Sequence, residues 1–160
     1  MIRSMLPWVV VVASAVAQGP PSRRDPALDQ LEFLVGSWRA ESGGQAVYRW
    51  APGNVWLSYE FRADLPGLGP YELHGKISFD STSGKYMAYV FNNLAPRMME
   101  YRGSWTSDRT LVFDSASKGA RGTLQRTTYT KEPDGRVRLT NSESADGANY
   151  KSFFEALFTR

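Results

Sequence analysis

The residue types that carry most protein chemistry are scarce in this chain. Its 160 residues include no cysteine and a single histidine, His74. One histidine without cysteine excludes the usual zinc ligand sets, and no aspartate-rich calcium loop is present. The Gly-x-Ser-x-Gly motif that presents a nucleophilic serine is also missing. We therefore predict no catalytic residues, no metal site and no cofactor.

His74 and the acidic residues are the side chains that could carry acid–base chemistry. His74 lies between Glu72 and Lys76 on the polar side of an alternating segment, which indicates a solvated side chain rather than a general base or ligand. Four carboxylates could still meet in space, although nothing in their spacing says that they do: Glu60, Asp64, Glu100 and Glu143.

The net charge and composition of the chain limit the kinds of molecule that it could bind. The formal net charge is +3, and the basic residues are interspersed with acidic ones. That balance is too small and too even for a nucleic-acid footprint, so we expect no nucleic-acid partner. Aromatic residues make up 13% of the chain, enough to fill the interior of one domain.

The N-terminus has the three parts of a secretory signal peptide, which we place at residues 1–17. Arg3 supplies the positive charge, an apolar run follows from Leu6, and Ala15-Val16-Ala17 forms a small-x-small cleavage site. Cleavage before Gln18 predicts export to the periplasm or the extracellular space. The run is too short to span a bilayer, so we expect no stable membrane insertion after cleavage. Residues 18–25 form a flexible leader.

The remaining residues, 26–160, predict one domain that starts with a short helix. Asp25 is a suitable N-cap, and Pro26 suits the first helical position. Leu28, Leu31 and Leu34 then fall on one face of a helix over residues 26–34, which ends at Gly36.

Beyond Gly36 the sequence alternates between apolar and polar residues. The alternation is clearest over residues 55–65 and 71–80, and turn dipeptides such as Asp134-Gly135 and Asp146-Gly147 separate such runs. Roughly nine or ten strands joined by short connections must be antiparallel neighbours. The fold class is therefore all-β: an antiparallel up-and-down β-barrel, since closure removes the sheet edges.

Three sequence elements in order resemble a known family. Phe33-Leu34-Val35-Gly36-Ser37-Trp38 gives the pattern FLVGxW, Gly75–Tyr86 forms a hairpin of the pattern GxxxxDxxxGKY, and Arg160 ends the last strand. These elements resemble the calycins (lipocalins and their relatives) and, more closely, a family of exported bacterial proteins recorded as a domain of unknown function. The resemblance implies that Trp38 plugs the barrel base with Arg160 across its ring. Gly36, Trp38 and Arg160 would thus be structural residues that close the barrel.

The barrel interior leaves two interpretations open: a core packed by its own side chains, and a pocket for one small molecule. As polar groups of such a pocket we predict Tyr59, Tyr101 and Trp105. The leading hypothesis is an exported barrel that binds a small hydrophobic or amphipathic ligand. The alternatives are an outer-membrane β-barrel, a cofactor-free isomerase or cyclase in the same cavity, and a packed structural or interaction domain.

Overall fold

A computed structural model describes residues 24–65, 67 and 69–160. The described chain forms one 3₁₀ helix followed by ten β-strands, which confirms the predicted all-β barrel with a short N-terminal helix. The helix spans Pro26–Leu34. The strands are β1 Gly36–Ala40, β2 Gln45–Trp50, β3 Leu57–Leu65, β4 Gly69–Asp80, β5 Lys85–Asn92, β6 Ala95–Trp105, β7 Thr110–Ser115, β8 Leu124–Lys131, β9 Val137–Ser144 and β10 Lys151–Thr159.

The ten strands close into a barrel in which every strand pairs with its neighbours in sequence. All pairs are antiparallel, and β10 returns to β1 with Arg39 opposite Thr159. Closure gives each strand a partner on both sides, so the sheet presents no open edge.

The 3₁₀ helix packs across one end of the barrel. The Asp25 side chain accepts a hydrogen bond of 2.9 Å from the backbone N–H of Ala27, which caps the first turn. Leu28, Leu31 and Leu34 are spaced three residues apart and are all buried. Because a 3₁₀ helix has three residues per turn, this spacing places all three leucines on the face that covers the barrel.

Alternation along each strand divides the side chains into an inward and an outward set. On β3, the buried residues Leu57 and Tyr59 define the inward set, and on β4 the buried Ile77 lies opposite Leu57. We call the space enclosed by the inward set the lumen. The end covered by the 3₁₀ helix is the helix end, and the opposite end is the open end.

The predicted signal peptide, residues 1–17, and most of the predicted leader lie outside the described residues. Arg24 is the first residue described. Its guanidinium lies 3.8 Å from the centroid of the Trp50 ring and forms an ion pair with Asp29 at 2.9 Å. The chain is thereby fixed against the helix end immediately before the helix begins.

Candidate functional site

The helix-end half of the lumen is filled by side chains. Trp38, Tyr48, Phe113 and Phe158 are buried there beneath the leucines of the helix. The space left beside Trp38, Tyr48 and Phe158 is a void of about 10 Å³, room for at most one water molecule. This half of the lumen is a packed core.

The open-end half of the lumen differs in accessibility. Its inward-facing side chains are half-buried, although alternation directs them into the barrel in the same way as the buried residues of the other half. Because these side chains face the lumen, their exposed area indicates that the lumen is open to solvent at this end. The open-end half is the candidate site.

One side of the candidate site is polar, and we call it the polar wall. It comprises four inward residues of β8 and β9: Gln125, Thr127, Asn141 and Glu143. Register places Gln125 opposite Glu143 and Thr127 opposite Asn141, so the four side chains form two cross-strand pairs. All four are half-buried.

Hydrogen bonds hold the polar wall in place. The Thr127 hydroxyl donates to Asn141 Oδ1 at 2.8 Å, and the Tyr101 hydroxyl donates to Gln125 Oε1 at 2.7 Å. Glu143 Oε2 accepts from the Thr123 hydroxyl at 3.0 Å and pairs with Arg121 at 2.9 Å. The side chains of the polar wall are therefore held in fixed orientations.

The facing side of the candidate site, the apolar wall, consists of hydrophobic residues from β3 to β6 and from β10. It comprises Phe61, Leu73, Val90, Met99 and Phe154, all half-buried. The Phe61 ring lies 6.1 Å from Tyr71 and 6.3 Å from Phe154, both edge-on. The site thus combines an apolar surface with a small set of fixed polar groups, the arrangement typical of small-molecule sites.

Two of the three predicted ligand-binding residues lie where the two halves of the lumen meet. Tyr59 is buried, with its ring stacked on Tyr48 at 5.1 Å between centroids. Tyr101 is also buried and reaches the polar wall through Gln125. Both phenols therefore stand at the floor of the candidate site.

The third predicted residue, Trp105, lies at the helix end. Its Nε1–H donates to the Tyr86 hydroxyl at 3.2 Å, and its ring lies 5.7 Å from Phe33 and 4.4 Å from the Lys131 ammonium. Trp105 shares a strand face with Tyr101 but is four residues farther towards the helix. It belongs to the packing of the helix end and does not join the other two.

The lumen tyrosines are held in their neutral form. Burial raises the pKa of Tyr101 and that of Tyr129 to about 12. Burial also raises the pKa of Tyr48 and that of Tyr59 well above the ordinary value for a phenol. These phenols stay protonated at neutral pH, so their hydroxyl groups are available as hydrogen-bond donors.

The residues predicted to close the barrel meet at the helix end. Trp38 Nε1–H donates to the Leu34 carbonyl at 2.6 Å, and the Arg160 guanidinium lies 4.8 Å from the centroid of the Trp38 ring. Arg160 also donates to the Val35 carbonyl at 3.1 Å. Gly36 has a φ of 130°, in the left-handed half of the φ range that favours glycine, and turns the chain from the helix into β1.

The residues considered for acid–base chemistry are dispersed. His74 faces outward and stacks on Phe91, with ring centroids 5.9 Å apart. Glu60, Glu100 and Glu143 each pair with a different arginine. Within residues 24–65, 67 and 69–160 no three histidine, aspartate or glutamate side chains gather in a way that could hold a metal ion.

A second concavity, of about 300 Å³, lies on the outer face of β6 to β8. Its arginines already have carboxylate partners, because Arg126 pairs with Asp114 at 2.6 Å and Arg102 pairs with Glu100 at 2.6 Å. We interpret this concavity as a surface region of paired charges, with one ion pair between β7 and β8 and one within β6.

Among the residues that the structure describes, no helix is long and apolar enough to cross a bilayer.

The model of a family described as a protein of unknown function (DUF1579) matches residues 29–160, which includes all ten strands. No curated protein matches the chain. Since the matched residues cover most of the sequence, the chain belongs to the DUF1579 family.

Proposed function

We propose that this protein is an exported barrel of calycin type that binds one small hydrophobic or amphipathic molecule in the open-end half of its lumen. The observation that carries the proposal is the contrast between the two halves. The helix end is packed around a void of about 10 Å³, whereas the inward side chains of the open end stay half-buried. An apolar molecule in that half would cover the apolar wall and gain the free energy of removing that surface from water.

The calycin likeness rests on the helix end. A short helix that leads into a first strand with Gly36 and Trp38, and an arginine from the last strand over the Trp38 ring, is the arrangement that the resemblance implies. A guanidinium over an indole contributes about 0.5–2 kcal/mol. This contact joins Trp38 on β1 to Arg160, the residue after β10, so the helix end stays rigid while the open end accepts a ligand.

Export is proposed from the sequence of residues 1–17. Arg3, the apolar run and the site Ala15-Val16-Ala17 together support signal-peptide cleavage before Gln18. The absence of cysteine from the whole sequence means that stability in an oxidising compartment must come from packing, which the filled helix end supplies.

The outer surface supports a barrel that works in water and not in a bilayer. Arg62, Arg126 and Arg138 face outward from three different strands, and each pairs with at least one carboxylate. An arginine or lysine on the lipid-facing side of a membrane barrel costs about 2–4 kcal/mol at mid-depth. Release of the protein from intact cells by osmotic shock tests this choice.

Filling the open-end half should weaken binding. In the Val90→Phe variant, a larger side chain enters the lumen from the apolar wall. We expect this variant to bind the neutral amphipathic dye N-phenyl-1-naphthylamine at least about tenfold more weakly than wild type. The added phenyl ring occupies lumen space that the dye would otherwise fill. Fluorescence titration measures the dissociation constant.

The matched control is Val112→Phe. Val112 is also a half-buried strand valine, but it faces outward from β7. Its variant should bind the dye as wild type does, and circular dichroism confirms that both variants are folded. Equal binding by the two folded variants would rule out the lumen as the binding site.

A further inference from the structure

The polar wall keeps hydrogen-bond donors that the described part of the chain leaves without an acceptor. Tyr101 and Thr127 donate to the oxygen atoms of Gln125 and Asn141, at 2.7 and 2.8 Å. Gln125 and Asn141 are inward residues of the strand pair, so their amide nitrogens, Nε2 and Nδ2, belong to the wall of the open-end half, with Nε2 on the side of Gly119. An amide nitrogen donates hydrogen bonds and accepts none, so this part of the wall suits a ligand oxygen that accepts.

The charge of the polar wall is set by one carboxylate. Glu143 lies directly across the strand pair from Gln125, and its side chain is 26% exposed. Its partner Arg121 is 60% exposed and lies on the solvent side of the pair. A carboxylate that entered beside Gln125 would therefore meet a negative charge at close range in a partly desolvated site.

Arg97 is a second cation, besides Arg121, that could offset this repulsion. It is exposed on β6, where its guanidinium donates to the Lys118 carbonyl at 2.6 Å. At the rim its charge is screened by solvent, and the carbonyl holds it on the loop side of the opening. Glu143 therefore governs the charge inside the site.

We propose that the molecule bound in the open-end half carries an uncharged hydrogen-bond acceptor, such as the carbonyl of an ester, ketone or amide. Gln125 and Asn141 bind this oxygen through their amide nitrogens, and the apolar part of the molecule lies on the apolar wall. This inference rests on the proposed function and adds the polar chemistry that the site selects.

A pair of probes with the same alkyl chain, one neutral and one negatively charged, tests the inference. Methyl decanoate and decanoic acid share one chain, and at about pH 7.5 the acid is ionised. Each is titrated against wild-type protein holding N-phenyl-1-naphthylamine. We expect the ester to displace the dye at least about tenfold more effectively than the carboxylate, the size of a like-charge repulsion across roughly 8 Å at an effective dielectric of about 30.

Variants at Glu143 and Gln125 test whether these residues cause the preference for the ester over the carboxylate. Glu143→Gln should bring the affinities of the acid and the ester to within about threefold, because the repelling charge is gone. The matched control is Glu155→Gln, which removes an outward carboxylate paired with Arg138 and should leave the tenfold ratio unchanged. Gln125→Met removes the amide donor together with the acceptor of the Tyr101 hydroxyl, and it should weaken the ester at least about fivefold more than it weakens the dye, which carries no oxygen acceptor.

The outcomes separate the two proposals. Dye binding with the carboxylate preferred over the ester, in wild type, would overturn the neutral-acceptor inference while the binding function stands. Failure of the dye and both probes to bind would overturn the binding function itself. The wild-type comparison needs no variant, so a misfolded variant does not decide the result.

Discussion

Replacing Trp38 by alanine is expected to lower the free energy of unfolding by about 3–5 kcal/mol. Trp38 is 4% exposed and lies at the centre of the helix end. The substitution removes the ring from a packed core, together with its hydrogen bond to the Leu34 carbonyl and its contact with Arg160. Urea unfolding followed by circular dichroism measures the change without relying on tryptophan fluorescence.

Trp56 provides the matched control for this prediction. It precedes β3, is half-buried, and contacts Tyr89 with ring centroids 6.0 Å apart. Trp56→Ala removes the same side chain from the barrel surface and should cost about 1 kcal/mol. Equal losses of unfolding free energy in Trp38→Ala and Trp56→Ala would show that Trp38 is not the centre of the core at the helix end.

The second large effect is expected at Gly75, where a methyl group has no room. Gly75 lies opposite Tyr59 in the β3–β4 pair, and a Cβ at this position would overlap the Tyr59 ring. Tyr59 cannot move aside easily, because its other face is stacked on Tyr48. Gly75→Ala should therefore lower the free energy of unfolding by about 2–3 kcal/mol through overpacking.

A double-mutant cycle tests the cause of this effect. In a Tyr59→Leu background the clash is relieved, so Gly75→Ala should cost at least about 1 kcal/mol less than in wild type. Gly119→Ala is the control, because the one tight contact of its Cβ would be with the movable end of Gln125, at 3.2 Å, and the Thr123 carbonyl lies at an ordinary contact distance of 3.6 Å. Additive effects at positions 59 and 75 would show that the Tyr59 ring does not require the glycine.

The fold follows from signals that are local in the sequence. The three-residue spacing of Leu28, Leu31 and Leu34 defines the face of the 3₁₀ helix, and Asp25 caps its start. Turn dipeptides between alternating runs define the hairpins, and Asp134-Gly135 does join β8 to β9. Short connections permit only antiparallel neighbours. The number of strands and their order around the barrel could therefore be predicted without knowledge of long-range contacts.

The polar wall was not predicted, for a physical reason. Alternation is readable only where apolar residues mark the inward face, and β8, Leu124–Lys131, carries polar residues on both faces. Tyr129 is the residue of β8 that could have revealed the inward face, because it is a buried aromatic residue four positions before the turn that joins β8 to β9. Alternation from Tyr129 places Thr127 and Gln125 on the same inward face. Polar residues that face a lumen break the pattern that would reveal them.

The position of Trp105 was unpredictable for a different reason. Alternation correctly places it on the same face as Tyr101, but says nothing about height in the barrel. Height depends on the stagger between strands, which is a property of the closed barrel and not of one strand. Only the assembled structure shows that Trp105 lies against Phe33 while Tyr101 contacts Gln125.

Native mass spectrometry of the protein purified from its own exported fraction, compared with its denatured mass, tests ligand binding most directly. We expect a denatured mass that corresponds to a chain beginning at Gln18, and a native mass that is larger by one small molecule per chain. The molecule released on denaturation should be apolar with an uncharged oxygen acceptor. Identical native and denatured masses, together with no uptake of N-phenyl-1-naphthylamine, would contradict a binding barrel and make the open-end half part of a packed structural domain.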